Sequence, residues 1–584
     1  MFGPVNPGWR RSLTRKYFNS ELSRLKELAA EFAAANPALA PLLNGPLADP
    51  DVERFLDALV YQNCLLDRKL GVDFPELIQK LANLILPHFL RPVPATTIVA
   101  FTSEPSRGQS VTVPAGTQLA STPVDGTSCR FTTTCDLDVH PVELVDVVSE
   151  QTSVRAAEIR LMFTVHGHNL SQWRPESLRF FLADDHAVAT ELYILLSRYT
   201  TGIVVAAADG GASVTLPPGH LKPAGFEENE ALIPYPPHAF PGYRLLQEYF
   251  NAPEKFLFFE LTGLERWEHR GDGCQFTIRL QLDGLPSGLP RIGRGSFVLH
   301  AVPVINIFSH AADPVHIDHR ASRYLVSPSG PNSSKHQIVS VDRVTGFSRE
   351  TRLERKYAAF ELFSSDRLET PVYHTWLEKS PVRTGYEIFL NVAFPEGNSF
   401  PDAETLSIAL TCTNGNLPDS LRIGDICRPV SGLPEGVSFS NITPVNPGVP
   451  PPVGPELLWR LTCHLYLNQM SLASAENLQT LLKLYVFQEN TSGTPVTANL
   501  KRIAGIEEIS VAPGECLVSG VAMRGSEILL KVQQDCFAGA GDLFLFGCVL
   551  DRFLAGYASI NYFTRLTMKE LLRGERTLWP MRQE

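Results

Sequence analysis

The spacing of apolar residues changes once along the chain, at Pro92-Val93-Pro94, and this change constrains the fold more than any other feature. Before it, apolar residues recur every three or four positions, which is the spacing of amphipathic helices. After it, short runs rich in β-branched and aromatic residues are separated by clusters of glycine and proline, as is typical of strands and turns. The sequence therefore predicts a helical N-terminal region followed by a larger β-rich part.

The N-terminal region contains three predicted helices, at residues 17–36, 50–70 and 74–86. Asp49 is placed to cap the second helix, and Pro50 suits its first position. Helices this short are marginal alone, so their apolar stripes must be buried against each other or against a partner. The stripes provide our candidate partner interface, which consists of Leu22, Leu25, Phe32, Phe55, Leu56 and Leu59.

The β-rich part is predicted to continue to a proline-rich loop at Pro444–Pro455. A helix is predicted within it at Ala189–Tyr199. Its predicted strands are Thr96–Phe101, Val111–Val113, Ile159–Val165, Leu178–Leu182, Leu257–Leu261, Phe276–Leu282, Phe297–Val302, Gln337–Val341, Tyr386–Ala393 and Leu406–Thr413. Strands at these intervals suit a sandwich or barrel.

The last part of the chain mixes element types. Helices are predicted at Ser474–Tyr485 and Asp542–Tyr557, and strands at Ile506–Val511 and Glu527–Val532. The second helix is apolar on most of its surface, which predicts burial on more than one side, within the chain's own core or against a partner.

We therefore predict an α+β multidomain fold in four parts. The parts are an N-terminal helical segment (1–94), two β-rich domains (95–310 and 311–455, the second ending in the proline-rich loop) and a mixed α/β C-terminal domain (456–584). A chain of 584 residues is long enough for several domains, because one core rarely grows past about 300 residues.

Composition excludes several classes of protein. Hydrophobic residues make up 44% of the chain and charged residues 19%, which excludes a disordered scaffold. The net charge of −11 argues against a nucleic-acid partner, which calls for an excess of Lys and Arg.

The longest apolar run, Leu543 to Leu550, is far shorter than the roughly 20 residues of a membrane span, so we expect no direct membrane insertion. The ten cysteines are scattered without a C-x-x-C pair, which indicates reduced thiols in a cytoplasmic protein.

The common catalytic and nucleotide-binding motifs do not occur in the sequence, so we predict no enzyme, catalytic residue, cofactor or metal. Gly271-Asp-Gly273 and Gly539-Ala-Gly541 lack the third glycine of a dinucleotide fingerprint, and we interpret them as turn glycines. Cys463 and His464 lie in an apolar context and are interpreted as core residues.

Three clusters of ionisable residues are weaker candidates for a metal or catalytic site. The clusters are His166 with His168; Asp313, His316, Asp318 and His319; and Glu227, Glu228 and Glu230. The histidine pair lacks a third ligand, the Asp/His cluster lacks a nucleophile, and a run of carboxylates in a loop is most often solvated, so solvated or hydrogen-bonded side chains are the simpler interpretation. A carbohydrate-active β domain at 95–310, with a pocket near His166 or Glu228, stays open as an alternative that rests on architecture alone.

Segments spread over the whole chain resemble one protein family. They include Tyr17–Leu22, Asp73–Leu77, Leu86–Pro92, Pro241–Phe250, Pro253–Phe256, Pro303–Asn306, Leu410–Asn414, Phe546–Phe553 and Asn561–Leu566. Their order and near-complete coverage resemble TssF, the baseplate subunit of bacterial type VI secretion systems, also called VasA or ImpG. A wedge protein of another contractile, phage-tail-like particle is the closest alternative.

This resemblance implies a structural protein with no activity and no cofactor. It implies that two TssF copies assemble with one TssG into a wedge that carries TssK and contacts TssE. Such wedges surround the VgrG spike and template the contractile sheath, in the cytoplasm at a baseplate docked on the inner membrane. Two copies around one TssG would place identical sequences in different surroundings, and the loop at 444–455 is our candidate for the segment that adapts.

Overall fold

The computed structural model describes most of the chain after residue 78. The described residues are 79–583 except 84–85, 87, 104–108, 154, 236–239, 286–288, 319–320, 349–353, 361–370, 381–384, 395–402, 431, 453–459, 461, 465–473, 488–493, 519–520 and 557–561. The chain divides into two units, Met1–Leu84 and Ile85–Glu584. In the first unit, residues 79–83 are helical, as predicted for 74–86. Leu81, an apolar residue of this helix, is 44% exposed.

Five long helices are described in the second unit. They are α1 (His186–Arg198), α2 (Pro241–Asn251), α3 (Ala475–Leu484), α4 (Thr494–Ala504) and α5 (Ala540–Ala555). The predictions for α1, α3 and α5 are confirmed, each within four residues at either end. Helices α2 and α4 were not predicted.

Thirty strands are described, and the first fifteen lie before residue 306. They are β1 (Thr96–Ser103), β2 (Val111–Val113), β3 (Gln118–Val124), β4 (Thr127–Thr133), β5 (Leu137–Val139), β6 (Val142–Gln151), β7 (Ala157–Val165), β8 (Ser177–Leu182), β9 (Thr200–Ala207), β10 (Val214–Leu216), β11 (Leu221–Ala224), β12 (Phe258–Thr262), β13 (Gln275–Leu282), β14 (Phe297–Leu299) and β15 (Ala301–Ile305).

The remaining strands continue to the C-terminus. They are β16 (Phe308–Ala311), β17 (Val315–Ile317), β18 (Tyr324–Val326), β19 (Gln337–Ser348), β20 (Glu354–Ala359), β21 (Val372–Lys379), β22 (Tyr386–Ala393), β23 (Glu404–Thr413), β24 (Ile426–Pro429), β25 (Val437–Asn441), β26 (Ile506–Val518), β27 (Val521–Val532), β28 (Tyr562–Glu570), β29 (Arg576–Leu578) and β30 (Arg582–Gln583). The described protein is therefore mostly β, with several helices. The predicted strands are confirmed in their type, except that Phe297–Val302 is divided into β14 and β15 at His300, whose φ is positive.

The described strands form five main sheets and a two-stranded ribbon of β2 and β5. Sheet A has the order β24-β3-β4-β15-β1-β25, sheet B the order β10-β9-β13-β7-β6, and sheet C the order β11-β12-β8-β14. Sheet D has the order β16-β23-β19-β20-β21-β22-β18 with β17 beside β23. Sheet E has the order β26-β27-β28-β29, with β30 also paired to β28.

Alternation of side chains explains the strands. Along β7 every second residue is buried, from Ala157 to Val165, so one face of sheet B packs inward while the other is half exposed. Asp125 and Gly126 both have positive φ, which gives β3 and β4 the tight two-residue turn that an Asp-Gly pair favours.

Sheet A joins strands that are far apart in sequence. Strand β1 pairs with β15 on one side and with β25 on the other, so the sheet contains strands from both sides of residue 310. The proline-rich loop also contacts this region, since Val449 exchanges two backbone hydrogen bonds with Val93. Asn446 and Val449 are thus hydrogen-bonded to the residues at the start of β1, and the adaptation of the loop at 444–455 stays a prediction. The four-part division at 94, 310 and 455 remains a prediction.

Helix α5 makes the crossover between the parallel strands β27 and β28. Two glycines let it pack closely: a Cβ at Gly541 would overlap the backbone carbonyl of Thr190 on α1, and a Cβ at Gly547 would overlap the ring of Trp579. Thirteen of its sixteen residues are buried. The prediction that α5 is buried on several sides is confirmed. The chain's own helices α1 and α2 and strand β28 cover it, so it is not a free face for a partner.

Candidate partner interface

The six residues of the predicted interface, Leu22, Leu25, Phe32, Phe55, Leu56 and Leu59, lie outside the described residues. Their role stays a prediction. The described residues show instead what the segments that carry the family resemblance do inside the fold, and which apolar side chains are left on the surface.

A buried ionic cluster, formed by Arg244, Glu248 and Lys255, lies at α2. Glu248 Oε1 accepts hydrogen bonds from the backbone N–H groups of Leu232 (2.8 Å) and Ile233 (3.1 Å). Its Oε2 accepts from Lys255 Nζ and, at 3.4 Å, from Arg244 Nη1. Burial lowers the pKa of Lys255 to about 8, although the adjacent Glu248 carboxylate opposes the shift.

Helix α2 is buried on its polar face as well as on its apolar face. All nine residues from Gly242 to Phe250 are buried, charged ones included, although Leu245, Leu246, Tyr249 and Phe250 recur at the spacing of an amphipathic helix that the sequence analysis did not use. The ion pairs fix α2 against the following 3₁₀ turn, Pro253–Phe256, and against the loop before the helix. These ion pairs stabilise the fold, and their charged groups are buried away from solvent.

A histidine–tyrosine cluster lies beside α2 and consists of His88, Tyr235, Tyr243, His464 and Tyr485. The Tyr485 hydroxyl lies 3.2 Å from His88 Nε2 and 3.1 Å from His464 Nε2. His88 Nδ1 lies 3.0 Å from the Tyr235 hydroxyl, and His464 Nδ1 lies 2.8 Å from the Arg460 carbonyl. The ring of Tyr243 and the ring of Tyr485 each stack on the His88 imidazole.

All four ring nitrogens of the two histidines are therefore occupied. Burial lowers the pKa of His88 to about 3 and that of His464 to about 4, so both imidazoles are neutral at pH 7. Neutral, fully bonded imidazoles tie residue 88 to residues 464 and 485 rather than bind a metal. The interpretation of Cys463 and His464 as core residues is confirmed, since both are buried.

A third junction joins two of the segments that carry the resemblance, Pro303–Asn306 and Leu410–Asn414. Asn306 Nδ2 donates to the Arg130 carbonyl (2.7 Å) and lies 3.0 Å from Asn414 Oδ1. Its Oδ1 accepts from the Asn414 N–H (2.8 Å) and the Thr413 hydroxyl (2.6 Å). The side chain of Asn306 is fully buried, so this bonding fixes the passage from sheet A to sheet D.

Asp542, in the first turn of α5, forms a fourth junction. It accepts from Arg502 Nε of α4 (2.8 Å) and lies 3.0 Å from His186 Nε2 of α1. Burial would raise the pKa of this carboxyl, but the hydrogen bonds from His186 and Arg502 lower it to about 2. One carboxylate thus holds three helices together. Gly541 lies within α5, so our interpretation of it as a turn glycine is wrong.

One residue in each ionisable cluster from the sequence analysis has an ordinary structural partner, as follows. His166 Nε2 lies 3.2 Å from Glu143 Oε2 on the neighbouring strand, and Asp318 Oδ1 accepts from the Tyr324 hydroxyl at 3.4 Å. Glu230 pairs with Arg179 at 2.9 Å. His319 lies outside the described residues. Within the described ranges, no group of three or more His, Cys, Asp or Glu side chains is arranged to hold a metal ion.

Exposed apolar side chains concentrate on sheet E. The turn patch, which we define as Leu571, Leu572 and Leu578, lies at the β28–β29 turn, and Leu572 and Leu578 are 66% and 64% exposed. Sequence analysis missed it because two leucines in a turn show no periodicity. The available signal was their position before Arg573-Gly574, since a turn is normally polar.

Five of the nine described cysteines are buried, and none of the nine forms a disulfide. Among the described helices, none has the length and apolar character needed to cross a membrane.

Comparison with known proteins gives concordant results. The family model described as "Type VI secretion system, TssF" matches residues 11–584. The chain is 29% identical over 621 aligned positions to "Type VI secretion system component TssF1" of Pseudomonas aeruginosa, and the match covers 97% of each chain.

Two solved structures are similar to the whole fold. A chain of a TssK-TssF-TssG baseplate subcomplex of the type VI secretion system, determined by cryo-electron microscopy, has a TM-score of 0.75 and 28% identity, and the match covers 91% of this chain and 99% of that one. A chain of a type VI baseplate complex has a TM-score of 0.60 and 24% identity, with 98% and 99% covered, and supports the fold alone.

Proposed function

The chain belongs to the TssF family of the type VI secretion system, and from this premise we propose that it is a wedge subunit of a baseplate, assembling with TssG and TssK. The family is one of structural baseplate proteins, and the chain is not an enzyme. The observation that carries the proposal is the match along residues 11–584, together with a TM-score of 0.75 to a chain of the TssK-TssF-TssG subcomplex.

The internal structure is consistent with a scaffold. Three of the four buried polar junctions hold together segments that lie more than 100 residues apart, as His88 and Tyr485 illustrate. Buried polar networks that are fully bonded favour one arrangement of the elements over others. A wedge subunit needs such rigidity because its position sets the positions of its neighbours.

The finer assembly follows from the family resemblance. We infer that two copies of this chain bind one TssG, and that the resulting wedge contacts TssE and surrounds a VgrG spike. The complex would lie in the cytoplasm at a baseplate docked on the inner membrane. The net charge of −11 supports the expectation of no nucleic-acid partner.

Co-expression tests the proposal directly. A tagged form of this chain is produced with the TssG and TssK encoded beside it, and the complex is purified by affinity and size-exclusion chromatography. We expect all three proteins to elute together. Elution of this chain alone, with TssG and TssK both soluble and in excess, would contradict the proposal.

A further inference from the structure

The sulfur cluster, which we define as Cys516, Met523 and Met581, lies on sheet E. Cys516 of β26 and Met523 of β27 are directly opposite each other in the β26–β27 hairpin. Their side chains therefore leave the same face of the sheet, with Cβ atoms about 5 Å apart. Met581, which directly precedes β30, places its Sδ 3.2 Å from Cys516 Sγ. All three side chains are half-buried, so a small ion can reach them from solvent.

The hairpin that carries two of these residues is held against the sheet by an aromatic ring. Gly514 and Gly525 form the cross-strand pair that lies two positions from Cys516 and Met523, on the same face. The ring of Phe563 occupies the space that a Cβ would take at Gly525, and it lies 3.2 Å from the place of a Cβ at Gly514. Phe563 is only 1% exposed. The ring thus fixes the hairpin at the positions next to the sulfur cluster.

The third residue of the cluster is fixed from the other side. Strand β30 pairs with β28, and its Arg582 pairs with the buried carboxylate of Asp551 on α5, which anchors Met581 beside it. Gln583 Nε2 donates a hydrogen bond to Met523 Sδ at 3.4 Å. The thiol and the two thioethers therefore come from three separate strand segments that the fold has already brought together.

The chemistry of the cluster selects one class of metal ion. Thiolate and thioether sulfurs are soft ligands that favour Cu(I), whereas Mg²⁺ and Ca²⁺ require carboxylate and carbonyl oxygens. Structural Zn²⁺ sites take four ligands from Cys, His, Asp and Glu. Within the described ranges Cys516 belongs to no group of three or more such side chains. The sequence motifs behind our expectation of no metal contain no methionine, so they could not reveal this cluster.

We propose that the sulfur cluster binds one Cu(I) ion through the Cys516 thiolate and the thioethers of Met523 and Met581. On binding, the Cys516 S–H bond is replaced by a bond to copper and the proton passes to solvent, while the oxidation state of the ion does not change. The Met523 thioether exchanges its hydrogen bond from Gln583 for the metal. The site goes beyond the proposed function and is independent of TssG and TssK.

The test uses the full-length chain, reduced, freed of reductant and kept under nitrogen. It is titrated against the coloured Cu(I) complex of bicinchoninate, whose absorbance falls when the protein takes the metal. The variants are Cys516→Ser and the double variant Met523→Leu/Met581→Leu, which conserves side-chain volume. The matched controls are Cys427→Ser, which removes an exposed thiol on β24, and Met162→Leu, which changes a half-buried methionine on β7. None of the five positions is fully buried, so circular dichroism should report unchanged folding.

We expect the wild type to withdraw one equivalent of Cu(I) that the Cys516→Ser variant leaves with the chelator. The double methionine variant should bind this equivalent at least about tenfold more weakly, while both controls stay within about twofold of the wild type. Below the usual pKa of a cysteine thiol, about 8.5, the affinity should rise about tenfold per pH unit, because one proton leaves for each ion bound.

Three results would overturn the proposal. Equal binding by the wild type and the Cys516→Ser variant would place the metal on other thiols of the chain. Equal binding by the wild type and the double methionine variant would show that a thiol alone holds the ion and that the contact between sulfurs is packing only. Binding of Zn²⁺ as tight as that of Cu(I) would contradict the assignment to a soft monovalent ion.

Discussion

Replacing Glu248 by alanine should loosen α2 more than any other single change among the charged residues described. Its side chain is 0% exposed and that of Lys255 is 1% exposed, so the substitution leaves two buried cations, Lys255 and Arg244, without a carboxylate. It also leaves the N–H groups of Leu232 and Ile233 without an acceptor.

The magnitude follows from these losses. Removing one partner of a buried ion pair costs about 3–5 kcal/mol, and leaving a buried N–H unsatisfied costs about 1–3 kcal/mol. Lys255 can relieve part of this cost by releasing its proton, because burial already holds its pKa near 8. We therefore expect a net local destabilisation of about 4 kcal/mol at pH 7.

Hydrogen exchange read by mass spectrometry is the suitable assay, since a chain of this size does not unfold in one step. A loss of about 4 kcal/mol corresponds to roughly thousandfold faster exchange of the α2 amides, provided that α2 opens locally. The control is Glu515→Ala, which breaks a pair with Arg524 in which both side chains are more than 75% exposed. Exposed pairs contribute about 0–1 kcal/mol, so exchange there should change little.

The pH dependence adds a second check. Because burial depresses the pKa of Lys255 below its usual 10.5, the unfolded state binds more protons between the two values, and stability rises with pH over that window. Without Glu248 the pKa of Lys255 in the folded state falls further, so the rise in stability begins at a lower pH. The variant should therefore be less destabilised at pH 9 than at pH 7. Exchange changed by less than about fivefold at pH 7, or equal effects of the two substitutions, would refute the reasoning.

Three further predictions address other parts of the chain. Gly541→Ala should lower the melting temperature, because a Cβ there meets backbone of α1 and overpacking costs about 1–3 kcal/mol, whereas Gly219→Ala, with open space around it, should be neutral in the same thermal scan. Stability should fall as the pH drops below 6.5, by up to about 1.4 kcal/mol per pH unit for each of His88 and His464, because their folded pKa values lie below the unfolded one; a flat profile of unfolding between pH 6.5 and 4.5 would contradict this. Leu25→Asp should abolish recovery of TssG in a pull-down while Leu25→Met retains it, and a folded Leu25→Asp chain that still recovers TssG would remove this stripe from the interface.

Sequence patterns predicted most of the elements that bury one face. They also predicted elements that are apolar and buried on all sides. Strand β22 was predicted with the bounds the structure gives, Tyr386–Ala393, and α5 within two residues at each end. The spacing of apolar residues along these two elements predicts them, because apolar residues occupy the positions that are buried. Helix α2 was missed although Leu245, Leu246, Tyr249 and Phe250 show the same spacing. What the pattern could not show is that Arg244 and Glu248 on its other face are buried too, since their burial depends on partners elsewhere in the fold.

Pairing between distant strands was beyond the reach of local patterns. The neighbours of β1 are β15 and β25, and the second of these lies more than 300 residues away. The buried junctions were equally hidden, since His88 and Tyr485 give no local sign that they meet. Family resemblance supplied the function that local chemistry could not, because a scaffold has no reactive site for a motif to mark.

The most direct test of the central claim is the absolute mass, by multi-angle light scattering, of this chain co-purified with its cognate TssG. The account predicts one species whose mass equals two copies of the 64.5 kDa chain plus one TssG. A monomer that elutes separately from soluble TssG would contradict the assignment to a baseplate wedge.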